Sequence, residues 1–112
     1  MTVPLYEAKA ELFRTLGHPV RIRVLELLQD GPRPVHELLA AIEVEASNLS
    51  QQLSVLRRAG IVTSSRQGST VRYTLSTPDV AKLLHSARNI LASLIVGQDQ
   101  LLVALRAPAG SS

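Results

Sequence analysis

Between Ala46 and Ala59 the chain carries Ser47, Asn48, Ser50, Gln51, Gln52, Ser54, Arg57 and Arg58 and not one acidic residue. Hydroxyls and primary amides both donate and accept hydrogen bonds, and guanidinium forks match phosphate oxygens and guanine edges. A surface of that composition suits a groove lined with base edges and phosphates. An ordinary solvated helix face more often mixes glutamate with lysine. The arginines continue downstream: residues 46–88 hold Arg57, Arg58, Arg66, Arg72, Lys82 and Arg88 against Asp79 alone, while the net charge of the whole chain is only +3. A polyanion is the natural partner of such a stretch. Tyr6, Phe13 and Tyr73 are the three aromatics, too few for a base-stacking platform, so single-stranded nucleic acid is disfavoured.

Other chemistry is sparse. The absence of cysteine excludes disulfides, thiolate metal sites and cysteine nucleophiles together. No glycine-rich phosphate loop and no Ser-x-x-Lys or Gly-x-Ser-x-Gly arrangement is present, and Glu43 and Glu45 stand in a polar link, so catalysis is not expected. His36, followed directly by Glu37, and the isolated His85 are weak candidates for a nitrogen and oxygen site taking Ni(II) or Zn(II). His18, just before Pro19, suits a helix cap.

These residues need elements to hold them. Leu5, Leu12, Phe13 and Leu16 share one side of a first helix that ends near Gly17, with Glu7, Glu11 and Arg14 opposite. Pro19 opens a second helix with Val20, Val24, Leu27 and Leu28 as its stripe, stopped by Asp30-Gly31-Pro32. Pro34 to Ile42 reads as a short third helix burying Leu38, Leu39 and Ile42, and Glu43-Val44-Glu45 links it to the next. In the fourth helix, Leu49, Leu53 and Leu56 fall in a narrow arc, which turns Ser47, Gln51, Ser54 and Arg58 outward with Asn48 and Val55 beside them. After Gly60 the period changes to strands at residues 61–66 and 70–75, joined by Gln67-Gly68-Ser69.

Ser76-Thr77-Pro78-Asp79 then starts a last helix with apolar residues in one arc from Val80 to Leu105, roughly 40 Å at 1.5 Å per residue. That stripe is longer than a small domain covers alone. A second copy packing through the first and last helices is the simplest cover, with Leu5, Leu12, Leu83, Ala87, Ile90, Leu91, Leu94 and Leu101 at the interface.

The 112 residues, 46% hydrophobic and 19% charged, make one domain, expected over 1–106 with a tail at 107–112. No apolar run spans a bilayer and no secretory signal is visible, so a soluble, cytoplasmic protein is expected. The element order is mainly α with a β-hairpin, about five helices and two strands. A short polar helix after a tight link, then a hairpin bearing Arg66 and Arg72, describes a winged helix-turn-helix.

Three segments resemble the ArsR/SmtB family of bacterial regulators. Phe13-Arg-Thr-Leu-Gly-His-Pro-Val-Arg-Ile-Arg-Val-Leu-Glu-Leu-Leu28 looks like its opening signature, Ser47-Asn-Leu-Ser-Gln-Gln-Leu-Ser-Val-Leu-Arg-Arg-Ala-Gly-Ile-Val62 like its recognition helix, and Arg66-Gln-Gly-Ser-Thr-Val-Arg-Tyr73 like its wing. The wording of residues 5–13 and 47–53 resembles an actinobacterial branch that includes a nickel-associated superoxide dismutase regulator. The resemblance implies a homodimeric repressor on an inverted-repeat DNA operator, released by an inducer. It carries Ser47, Asn48, Ser50, Gln51 and Gln52 over as groups that read or flank bases, Arg57 and Arg58 as phosphate ligands, and Arg66 and Arg72 as wing contacts. Gln52 stands where many relatives have histidine, and Glu45 where they often have a Ser or Thr cap.

Members of that family often sense metals, but the thiolate pair and the last-helix ligand set are not intact here. Pro34-Val35-His36-Glu37 occupies the thiolate stretch, and Asp79, His85 and Asp99 have other spacings. A weak site, or one completed by a regulatory partner protein, is one expectation, and a regulator that takes no metal is the other. The rival to operator binding is a protein-interaction module that uses the long last helix.

Overall fold

The computed structural model describes residues 2–95. The elements run α1 (Leu5–Leu16), α2 (Pro19–Leu27), a 3-10 turn (Leu28–Asp30), β1 (Arg33–Pro34), α3 (Val35–Ala41), α4 (Ala46–Arg58), β2 (Val62–Gln67), β3 (Thr70–Leu75) and α5 (Asp79–Leu94). Val24, Leu25, Leu28, Leu38, Leu49, Leu53, Leu56 and Val62 are the innermost side chains. They come from α2, its 3-10 extension, α3, α4 and the base of β2, so the helix-turn-helix and the hairpin share one core.

Local chemistry explains the boundaries. His18 is extended, and its Nδ1 accepts the Val20 N–H at 3.1 Å, which caps α2 while Pro19 occupies the first turn. Gly60 ends α4 with φ of 77°, a left-handed conformation that costs a side-chain-bearing residue roughly 1–2 kcal/mol. Gly68 and Ser69 form the hairpin turn. Gly68 has φ of 62° and among the described residues no non-glycine has positive φ, which is the type II′ pattern matched to strand twist. Thr77 Oγ1 accepts the Asp79 N–H at 3.3 Å at the start of α5.

Several expectations change. The sheet has three strands in the order β1-β3-β2, because Arg33 pairs with Tyr73 and Pro34 with Arg72 ahead of α3. Pro34 therefore ends a strand, and α3 begins one residue later and stops at Ala41, with Ile42 extended. Leu39 is half-buried. Leu25 is fully buried beside the expected α2 stripe, and Val20 is half-buried. α5 ends at Leu94, about 24 Å at 1.5 Å per residue. Its expected continuation through Leu101 and Leu105, and the tail at 107–112, lie outside the described residues.

Candidate nucleic-acid interface

α4 splits into two faces as its period requires. Leu49, Leu53 and Leu56 are 0%, 2% and 0% exposed. Ser47, Ser50, Gln51, Arg57 and Arg58 are exposed, and Asn48, Ser54 and Val55 half-buried. The helix has no acid in its first turn and ends on Arg57 and Arg58, which sit favourably at the negative end of its dipole. Arg58 Nε lies 3.4 Å from the Ser54 carbonyl oxygen. Glu45 takes the N-cap position without a side-chain cap bond, so the first backbone N–H groups of α4 keep their capacity to bind an anion. Arg21 of α2, Ser50, Gln51, Ser54, Arg57 and Arg58 line one shallow concavity on this side of the molecule.

Gln52 departs from the expectation. It is 9% exposed, and both ends of its amide are occupied. Its Oε1 accepts the Arg21 Nε–H at 2.8 Å, and its Nε2 donates to Asn48 Oδ1 at 2.9 Å. Arg21 also donates from Nη1 to the Thr15 carbonyl at 3.0 Å, in the last turn of α1. Gln52 is a brace behind the outer face of α4, and Arg21 is a residue that sequence reasoning missed. A signal existed for Gln52, because on a helical wheel it stands about 40° from Leu56, beside the apolar arc. Nothing local points to Arg21, which is 31 residues away.

The hairpin places its two arginines on opposite faces. Arg66 pairs with Val71 and Arg72 with Ser65, and alternate residues of a strand face opposite ways. Arg66 therefore shares the side of Val62, Tyr73 and Leu75, beyond the edge of the core, whereas Arg72 stands on the outer side with Thr63 and Thr74. Arg33 was also overlooked. It donates from Nε to the Leu27 carbonyl at 2.7 Å and pairs with Glu37 at 3.3 Å, so it closes the end of α2 onto α3.

The metal candidates do not converge. Glu37 is engaged by Arg33, His85 is exposed on α5, and no group of three or more histidine, cysteine, aspartate or glutamate side chains suited to a metal occurs among the described residues. The described residues of one chain do not fit a metal.

The apolar stripes of α1 and α5 stay uncovered. Leu5 is 69% exposed, Phe13 57%, Ile90 58% and Leu94 74%. Leu12, Ala87 and Leu91 are exposed as well, whereas Leu83 is half-buried against the core and Leu101 lies outside the described residues. Tyr6 is a further exposed apolar residue of α1 that was not among the expected interface positions. No described helix is long and apolar enough to cross a membrane.

Comparison with known proteins gives the same picture. The family of bacterial regulatory proteins designated arsR matches residues 18–64. The HTH-type transcriptional regulator Rv0081 of Mycobacterium tuberculosis is 51% identical over 105 residues, covering 93% of this chain and 92% of that protein. Its crystal structure superposes with a TM-score of 0.76 over 89% of this chain and 99% of that one. The HTH-type transcriptional repressor SmtB of the same organism is 39% identical over 83 residues, 74% of this chain and 62% of SmtB. A homodimeric winged helix-turn-helix DNA-binding domain from Mycobacterium bovis is 26% identical and has a TM-score of 0.71 over 80% of this chain and 84% of that one. None of these three is a superoxide dismutase regulator by name. With its winged core, its acid-free α4 and a relative matching nearly its whole length, the chain belongs to the ArsR/SmtB family of DNA-binding transcriptional regulators.

Proposed function

We propose that the chain represses transcription by binding an inverted-repeat operator as a homodimer. In this reading α4 enters the major groove, Ser47, Asn48, Ser50, Gln51 and Ser54 meet base edges, Arg57 and Arg58 hold phosphate, and Arg66 and Arg72 carry the wing along the flanking backbone. One observation carries the reading. The outer face of α4 is polar, acid-free and solvent-facing while its inner leucines anchor it rigidly in the core. A groove reader needs that combination of fixed position and free hydrogen-bonding groups.

The uncovered stripes of α1 and α5 support dimerisation through Leu5, Leu12, Ala87, Ile90, Leu91 and Leu94. Two copies would then set two α4 helices against half-sites about one helical turn apart, roughly 34–36 Å. The test is the binding stoichiometry on duplexes carrying two selected half-sites at varied spacing. Two chains per duplex, with an affinity maximum at one-turn spacing, is the expected result. One chain per half-site with no dependence on spacing would overturn the homodimeric mode.

A further inference from the structure

Hydrogen-bond polarity runs in one direction from the interior to the reading face of α4. A guanidinium can donate but never accept, so Arg21 Nε–H requires an acceptor, and Gln52 must turn Oε1 toward it. The Gln52 NH2 then points the other way and donates to Asn48 Oδ1. Among the described residues the Asn48 NH2 has no partner. Reversing either amide would set donor against donor or acceptor against acceptor, at the cost of an unmade part-buried bond. Arg21 is itself held by the Thr15 carbonyl, so the donor at the head of the relay is fixed.

We propose that Arg21 is a specificity-positioning residue, which acts through Gln52 to hold Asn48 with its NH2 outward so that the protein selects a base edge presenting an acceptor. The proposal rests on the operator-binding reading and adds to it the class of base read at one position. An outward NH2 meets guanine N7 or O6, adenine N7 or thymine O4, and is repelled by the cytosine amino group. Arg21 need not touch DNA to do this.

The experiment is selection from a duplex library with a randomised half-site, followed by affinity measurement on duplexes differing at one position. Asn48→Ala locates the position read, where the wild type's preference for acceptor bases over cytosine falls about tenfold. Gln52→Glu keeps the bond from Arg21 but has no donor, so Asn48 must turn its NH2 inward and its oxygen outward. The preference at that position then shifts from guanine or thymine to cytosine, with adenine accepted by both proteins. Arg21→Met leaves the relay unpolarised and lowers selectivity at that position, while the salt dependence of binding is unchanged. Gln52→His, which can accept from Arg21 and donate to Asn48, restores the original preference.

Unaltered selectivity at that position in both Gln52→Glu and Arg21→Met would overturn the proposal. So would a salt slope reduced by about one in Arg21→Met with selectivity intact, since Arg21 would then be a phosphate ligand. If Arg21→Met does not fold, Gln52→Glu decides alone, because it retains the tie between α2 and α4. An Asn48→Ala protein with wild-type preferences also overturns it. Failure of the wild type to enrich any sequence is a different result, which removes the operator-binding reading and this inference with it.

Discussion

Arg58 and Gln52 lie on the same helix six residues apart, yet they do opposite kinds of work. Arg58 is exposed at the C-terminal end of α4 among groups that face solvent. Reversing its charge should leave the core untouched and oppose DNA phosphates directly. Arg58→Glu is therefore expected to lose operator binding by at least about a hundredfold while staying folded, with only the few degrees of melting temperature that an acid at the C-terminal end of the helix dipole costs; retained binding would mean α4 is docked the other way round. Gln52 sits against the core with both functions used. Gln52→Ala strands a part-buried guanidinium N–H, which should cost about 1–3 kcal/mol in denaturant unfolding. An unchanged midpoint would show that Arg21 finds another acceptor at no cost.

The helices and the hairpin contribute through their ends as much as their lengths. His18 caps α2 with one side-chain bond, and His18→Ala should lower stability by about 1 kcal/mol, or roughly 4–8 °C in melting temperature for a domain of this size. A shift below one degree would show that Pro19 alone fixes the start. In the wing, Gly68→Val puts a β-branched side chain at a φ of 62°. The turn should open and operator affinity fall severalfold, with little loss of helical content by circular dichroism, because the tip lies outside the core.

At this scale the sequence was legible wherever a period was strong. The leucines of α4, the change of period after Gly60 and the turn at Gly68 all announced themselves. β1 did not, because a two-residue strand ending in proline has no period and depends on Tyr73 and Arg72 reaching it from another part of the chain. Leu25 was hidden for a related reason, since α2 is packed on more than one side and shows little amphipathic contrast.

For the whole molecule the decisive feature is apolar surface left uncovered in one chain. Leu94 is 74% exposed at the end of α5, and Ile90 lies one turn before it. Leu94→Glu should convert the dimer to monomer in sedimentation at micromolar concentration while the winged core keeps its circular dichroism spectrum. A variant that stays dimeric would move the interface elsewhere. That apolar surface would be left uncovered in one chain could be read from the apolar arc of the last helix, whose expected extent beyond Leu94 lies outside the described residues. The metal expectation was less legible, because histidine and glutamate at sequence spacing say nothing about convergence, and among the described residues Glu37 is tied to Arg33 while His85 is exposed on α5 and belongs to no group of three or more side chains suited to a metal.

Whether the acid-free face of α4 and its neighbouring arginines meet duplex DNA can be measured directly by fluorescence anisotropy. The probe is a labelled duplex from the region upstream of the coding sequence, titrated at two salt concentrations with and without Ni(II) and Zn(II). Binding should be tight at low salt and weaken steeply at high salt, by about tenfold or more between 50 and 200 mM, as expected for several phosphate contacts. Binding that is absent, or indifferent to salt, would contradict a DNA-reading role for α4 and leave the uncovered helices as the working surface of the protein.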